Sequence, residues 1–160
     1  MKLLVFSDSH SNYKNIKEAI SLQRGSLDGV IFLGDGVRDI EKIKNEYSEF
    51  AFFIVKGNCD FMINEYEAER VLDLDGIRLL ITHGHLYGAK SGYARLAYRA
   101  RELAADAVLF GHTHQPCDDI LEIHGKSIRL FNPGSIGYSG TFGVLNISGG
   151  VIVTNHGKLY

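Results

Sequence analysis

Seven side chains able to bind a metal ion each follow a short apolar run. They are Asp8 and His10 after LLVF, Asp35 after VIFL, Asn58 after FFIV, His83 after LLI, and His112 with His114 after AVLF. Carboxylate, amide and imidazole donors with no thiolate among them suit Mn²⁺, Fe²⁺, Ni²⁺ or Zn²⁺ better than Ca²⁺. Asp8 and His10 are two apart, as are His112 and His114. Residues two apart on an extended strand share a face, so each pair could turn toward one ion. A lone DxH or HxH carries little weight. Five such motifs, each closing a hydrophobic run, carry much more, because core packing gives no reason to place polar groups there.

Runs of four to five residues rich in Val, Ile, Leu and Phe read as strands buried on both faces. Strands are expected over 2–6, 29–33 and 51–55, with helices over 13–23 and 38–47 between them, a βαβαβ order whose three strands are parallel neighbours. The first helix has Ser11 or Asn12 available as its N-cap and buries Ile16, Ala19 and Ile20. Residues 67–73 and 77–81, joined at Asp75-Gly76, read as a hairpin. A helix over 92–105 is expected, capped by Ser91, with Leu96, Ala97, Ala100, Leu103 and Ala104 inward and its arginines mostly outward. A strand at 107–110 and antiparallel β to the end complete the pattern, with turns at His124-Gly125 and Ser148-Gly149-Gly150. The fold class is α/β: two packed mixed β-sheets flanked by helices, an αββα sandwich that delivers its ligands to the rim outside the strand ends.

A chain of 160 residues with 45% hydrophobic content suits one domain over residues 1–160. A net charge of −2 and a pI near 6.4 give no basic field for nucleic acid or anionic membranes. The apolar stretch from Leu3 to Phe6 is far shorter than a signal peptide needs, and no run approaches a membrane helix. Cys59 and Cys117 show no CxxC spacing. A cytoplasmic protein without a disulfide is the expectation, and a homo-oligomer is compatible with it.

The motifs Asp8-Ser9-His10, Gly34-Asp35, Gly57-Asn58, His83-Gly84-His85 and Gly111-His112-Thr113-His114 together resemble the pattern of the calcineurin-like metallophosphoesterase superfamily. The resemblance is to its small bacterial and archaeal phosphodiesterases, related to the scaffold subunit of the retromer complex. It covers nearly the whole chain, and Asn132-Pro133-Gly134-Ser135 is similar to the family's late loop. The resemblance implies two divalent ions per chain, manganese first, with nickel, iron or zinc as alternatives. Asp8, His10, Asp35 and His114 would hold one ion. Asp35, Asn58, His83 and His112 would hold the other, with Asp35 as the bridge, and Asp35, Asn58 and His83 are the residues expected to bear on catalysis directly. The implied reaction is hydrolysis of a small phosphodiester by a hydroxide bridging the ions. A phosphomonoesterase or nucleotide phosphatase uses the same ligands, and a non-catalytic protein-binding scaffold shares the fold. No GxxxxGK[ST] loop is present, which excludes a P-loop nucleotide switch.

Many enzymes of the superfamily carry histidine after the Gly-Asn pair, where it assists the leaving group; here Cys59 stands there, as in the small phosphodiesterase branch. It reads as a packing residue rather than a reactive thiol, and the general acid is unassigned. Asp60 could orient a ligand histidine or cap a turn. His85 could line the pocket or sit on the surface, and Asn12 could reach the site or cap the helix. Tyr87 and Lys90 fall in a loop over the metal rim, read as solvated though able to meet substrate. His124 and His156 read as structural.

Overall fold

In the computed structural model, which describes residues 1–160, alternation along the strands sets the layering. β1 (Lys2–Phe6) turns Leu3 and Val5 to one side and Leu4 and Phe6 to the other, all fully buried. A strand with two apolar faces must be covered twice. On one face α1 (Tyr13–Gln23) and α2 (Val37–Glu46) lay Ile16, Ile20, Ile40 and Ile43 over Leu4 and Phe6 and over Val30 and Phe32 of β2 (Gly29–Phe32). On the other, Leu3, Val5 and Ile31 meet Leu79 and Ile81 of β5 (Ile77–Thr82) and Leu109 of β6 (Ala107–Leu109), which belong to a second sheet. α3 (Ala94–Glu102) covers the far face of that sheet with Leu96, Ala97 and Ala100.

The remaining strands are β3 (Ala51–Ile54), β4 (Glu69–Leu74), β7 (Cys117–Ile123), β8 (Lys126–Asn132), β9 (Thr141–Ser148) and β10 (Val151–Lys158). The first sheet runs β10-β9-β1-β2-β3 and the second β4-β5-β6-β8-β7. β1, β2 and β3 are parallel, as expected, and so are β5, β6 and β8; the outer pairings are antiparallel. Both sheets are therefore mixed, and the αββα sandwich read from the sequence is the architecture. No helix is long and apolar enough to cross a membrane. Both cysteines are free.

Three local expectations are corrected. β3 is an edge strand, so Phe52 and Phe53 are only half-buried. α3 spans Ala94–Glu102 instead of 92–105, because Gly92 at φ 138° and Ala104 at φ 56° leave helical space; Ser91 belongs to a separate turn and Ala104 is exposed. α1 has no side-chain cap: Ser11 offers its backbone N–H to Asp39, and the Asn12 amide donates to the Gly137 carbonyl at 3.2 Å.

Candidate metal centre

β1, β2, β5 and β6 end at one rim, and the chain bends sharply there. Asp8, His10, Asp35, His112 and His114 all have positive φ, between 43° and 67°. Left-handed backbone at a non-glycine residue costs about 1–3 kcal/mol and persists where the surroundings over-determine it. The two DxH- and HxH-type pairs thus converge through left-handed turns and not, as expected, by sharing a strand face.

The ligand atoms of Asp8, His10 and His114 lie within 4.8 Å of one another, and so do those of Asp35, His83 and His112. His114 Nε2 is 3.1 Å from Asp8 Oδ1, and the Nε2 atoms of His10 and His114 approach to 3.4 Å. Asp8 is anchored by the Ser7 hydroxyl at 2.6 Å and the His112 N–H at 3.0 Å, both on Oδ2, which leaves Oδ1 toward the histidines. Its carbonyl accepts the Ser135 hydroxyl at 2.8 Å, and the Asn132 amide donates to the Gly111 carbonyl at 2.9 Å. The late loop thereby fixes both histidine-bearing turns.

His83 is fully buried. Its Nδ1–H donates to the Leu33 carbonyl at 2.7 Å, which selects the tautomer with a bare Nε2. That Nε2 has no hydrogen-bond partner, and stands 3.3 Å from Asp35 Oδ2 and 3.8 Å from Asp8 Oδ1 without hydrogen-bond geometry. A buried nitrogen lone pair left between two carboxylates fits a divalent cation. Burial opposes charge on His83, but Asp35 and Asp8 outweigh it and raise its pKa. Burial and the neighbouring His83 push His112 down to about 4, so it is a neutral donor at neutral pH. Burial works against the charge of Asp35, yet His83 and the Cys59 N–H hold its carboxyl far below the usual carboxylate range.

Asn58 is exposed in the turn Asn58–Asp60, its amide donating to Cys59 Sγ at 3.6 Å. Cys59 is not a packing residue: it is exposed, its N–H donates to Asp35 Oδ1 at 2.8 Å, and its thiol shares a potential ligand group with His10 and Asp35. The Asp35 carboxylate and burial push that thiol up to about 11, so it stays protonated at neutral pH. Gly57 is required beside it, because a Cβ there would meet Asp35 Oδ1 at 2.1 Å.

Asp60 touches no histidine. Its Oδ2 accepts the N–H groups of Asp35 at 2.7 Å and Gly57 at 2.9 Å, and its Oδ1 those of Gly36 and Val37, both at 3.0 Å. One carboxylate thus caps its own turn, caps α2, whose N-cap Gly36 has no side chain, and joins the Asp35 loop to the Asn58 loop. His85 is half-buried, with its ring 5.4 Å from that of His83 and 6.1 Å from that of His112, and its Nδ1 unpartnered. It lines the site. Tyr87 faces away, its hydroxyl donating to Glu69 beside Arg99, while Lys90 is exposed. His124 is in the β7–β8 turn beside Tyr98, and His156 stacks on Phe131 and meets the Asn132 carbonyl at 2.7 Å.

Two neighbours of the cluster have no signal in the sequence. The ring of Tyr138 is 5.1 Å from that of His10 and 5.2 Å from that of His114, yet the residue lies in a glycine-bounded loop with no motif of its own. Arg38 follows Asp35 into α2 and lines a cleft with it.

A family model described as the calcineurin-like phosphoesterase superfamily domain matches residues 1–150. The probable metallophosphoesterase YsnB of Bacillus subtilis is 35% identical over 136 residues, 85% of this chain and 75% of that protein. Phosphodiesterase YfcE of Escherichia coli is 29% identical over 158 residues, covering 85% and 79%. The structure of Vacuolar Protein Sorting 29 from Cryptosporidium parvum superposes with a TM-score of 0.72 over 98% of this chain and 96% of that one. At 18% identity, that last likeness shows the fold alone.

Proposed function

Since this chain belongs to the calcineurin-like phosphoesterase superfamily, we propose that it acts as a single-domain, metal-dependent phosphodiesterase on small phosphodiesters in the cytoplasm. The observation that carries the reading is His83 Nε2, buried, unpartnered and flanked by two carboxylates. Leaving that nitrogen bare costs about 1–3 kcal/mol, which a bound cation would offset.

Asp8, His10 and His114, joined by Asp35, would hold one divalent ion, and Asp35, Asn58, His83 and His112 a second. When bound, such ions lower the pKa of a shared water and neutralise charge on phosphoryl oxygens. The oxygen and imidazole set suits Mn²⁺, Fe²⁺, Ni²⁺ or Zn²⁺, and manganese is the ion taken first for the test below. The Leu33 carbonyl keeps the Nε2 lone pair of His83 directed inward, and Asp35 supplies a permanent negative charge. His85 and Tyr138 border the cluster and limit how a substrate approaches. The reaction would need no side-chain nucleophile, because the bound ions would supply the activated water.

Metal quantification joined to an ester panel tests this reading. The purified protein is expected to bind two divalent ions per chain and, with Mn²⁺, to hydrolyse bis(p-nitrophenyl) phosphate faster than p-nitrophenyl phosphate, activity that a chelator removes. Two bound ions with no turnover on either ester would rule out the enzyme, and preference for the monoester would rule out the diesterase.

No residue is assigned as the proton donor for the departing oxygen, since Cys59 stands where many superfamily members carry a histidine. Rates across a series of aryl methyl phosphodiesters should therefore rise steeply as the leaving-group pKa falls, when chemistry limits turnover. A flat dependence would mean that some residue acts as the acid.

A further inference from the structure

A cleft of about 320 Å³ opens beside Asp35 and His10, with Cys59 in its lining and Arg38, Met62 and Ile63 among its other residues. It is more than the reacting phosphoryl group needs and is of the size that takes a small organic group. The cleft meets the centre at Asp35, His10 and Cys59 and runs from there to Arg38, Met62 and Ile63. A diester held at the centre would have one of its two ester groups within reach of that space.

Arg38 is exposed and takes part in none of the ion pairs of the chain. It has carboxylates close by in sequence and space, but each is already engaged by other donors. Asp39 Oδ2 accepts the Ser9 hydroxyl at 2.6 Å and the Ser11 N–H at 2.9 Å. Asp60 holds four backbone amides, and Asp35 takes the Cys59 N–H and faces His83. The five N–H donors of the guanidinium are left for something outside the chain. Facing the same cleft, Met62 is 72% exposed and Ile63 is half-buried, an apolar wall at the mouth of a polar site.

We propose that this cleft is a leaving-group subsite, with Arg38 as a specificity-determining residue that selects leaving groups bearing their own anionic group on an apolar body packed against Met62 and Ile63. The inference rests on the phosphodiesterase reading above and narrows its substrates to diesters whose departing alcohol or phenol carries a carboxylate or phosphate. A guanidinium binds such an oxyanion by charge-assisted, bidentate hydrogen bonds. The apolar wall contributes by burying the body of the group.

The test has a kinetic arm and a binding arm. In the first, the Mn²⁺-loaded protein and its Arg38→Ala, Arg38→Lys and Lys90→Ala variants are compared on two methyl aryl phosphodiesters. One releases p-nitrophenol and the other 5-hydroxy-2-nitrobenzoate, the same phenol with a carboxylate added. Arg38→Ala is expected to lower kcat/KM for the carboxylated ester by about tenfold, chiefly through KM, and to leave the uncharged ester within about twofold, the loss of one charge-assisted contact. Arg38→Lys should recover part of the loss, and Lys90→Ala should not discriminate between the esters. An equal loss on both esters, or none on either, overturns the proposal.

The second arm needs no turnover. The chain has two methionines, Met1 and Met62, so a ¹³C-methyl-methionine spectrum reports the cleft and a distant control. Millimolar 5-hydroxy-2-nitrobenzoate should move the Met62 signal and spare Met1, and Arg38→Ala should abolish the shift. If Met62 responds in this way but neither ester is hydrolysed, the phosphodiesterase reading fails and the anion-binding cleft stands. If the esters are hydrolysed while Met62 is unmoved, the cleft proposal fails alone.

Discussion

Asp35→Asn is expected to reduce kcat/KM toward a diester by on the order of a thousandfold or more, the factor that corresponds to several kcal/mol of lost metal stabilisation. The ligand atom of Asp35 is shared by two of the candidate metal groups, one with His83 and His112 and one with His10 and Cys59. Its charge is fully developed at neutral pH, because His83 and the Cys59 N–H hold the carboxyl far below the usual range against the opposing effect of burial. The amide removes that charge and presents two N–H donors where a cation is to sit. Asparagine is also the replacement that tolerates φ 58° best, so the fold should survive. The measurements are metal content, kcat/KM with added Mn²⁺ and thermal unfolding of the metal-free protein. Full turnover with two ions retained would remove Asp35 from its bridging place.

The layered architecture was legible because it rests on near-neighbour patterning. β1 and β2 are apolar on both faces, and such strands demand a helix layer and a second sheet wherever they occur. The ends of those strands were legible for the same reason, since Asp8, Asp35, His83 and His112 interrupt apolar runs that would otherwise continue into loops. The way these residues converge was not. It depends on left-handed backbone at five positions, which no residue type there announces, since aspartate and histidine only tolerate that region. Ala104 is a strong helix former by type, yet its left-handed backbone lies beyond the end of α3, because tertiary contacts override that preference.

Contacts between residues distant in sequence were the least legible. The Ser135 hydroxyl reaches the carbonyl of Asp8 across 127 residues, and Tyr138 comes to lie over His10 and His114 only because that same loop is pinned. Residue type misleads at Cys59. A cysteine in a mixed apolar and polar segment is most often buried, whereas the turn after β3 leads away from the core and exposes it. The Cys59 thiol and Arg38 border the same open cleft. A leaving group that brings its own anion to Arg38 would be held there without being protonated.

Asp60→Asn is expected to weaken metal binding by roughly 10–100-fold, as loss of a ligand-orienting partner does, and to do so more at the Asp35, Asn58, His83 and His112 group, which takes ligands from both loops that Asp60 joins, than at the Asp8, His10 and His114 group, which takes Asp35 alone. Each carboxylate oxygen of Asp60 accepts two backbone N–H groups. An asparagine retains one oxygen and sets an N–H₂ donor against the other two amides, whichever way it is turned. Two amides lose their acceptor, at a cost of about 1–3 kcal/mol each where buried, and the charge at the start of α2 goes with them. Thermal unfolding should fall by roughly 5–20 °C for a chain of this length. A structural role alone would give that fall and nothing more, so the deciding readout is the metal isotherm. Cobalt titrated into the native and variant proteins should show two binding steps in the first, and in the second both steps displaced to higher concentration, one clearly further than the other. The carboxylate connects the Asp35 and Asn58 loops, so an equal displacement of both steps, or of neither, would show that Asp60 holds the fold and does not set the spacing of these ligands.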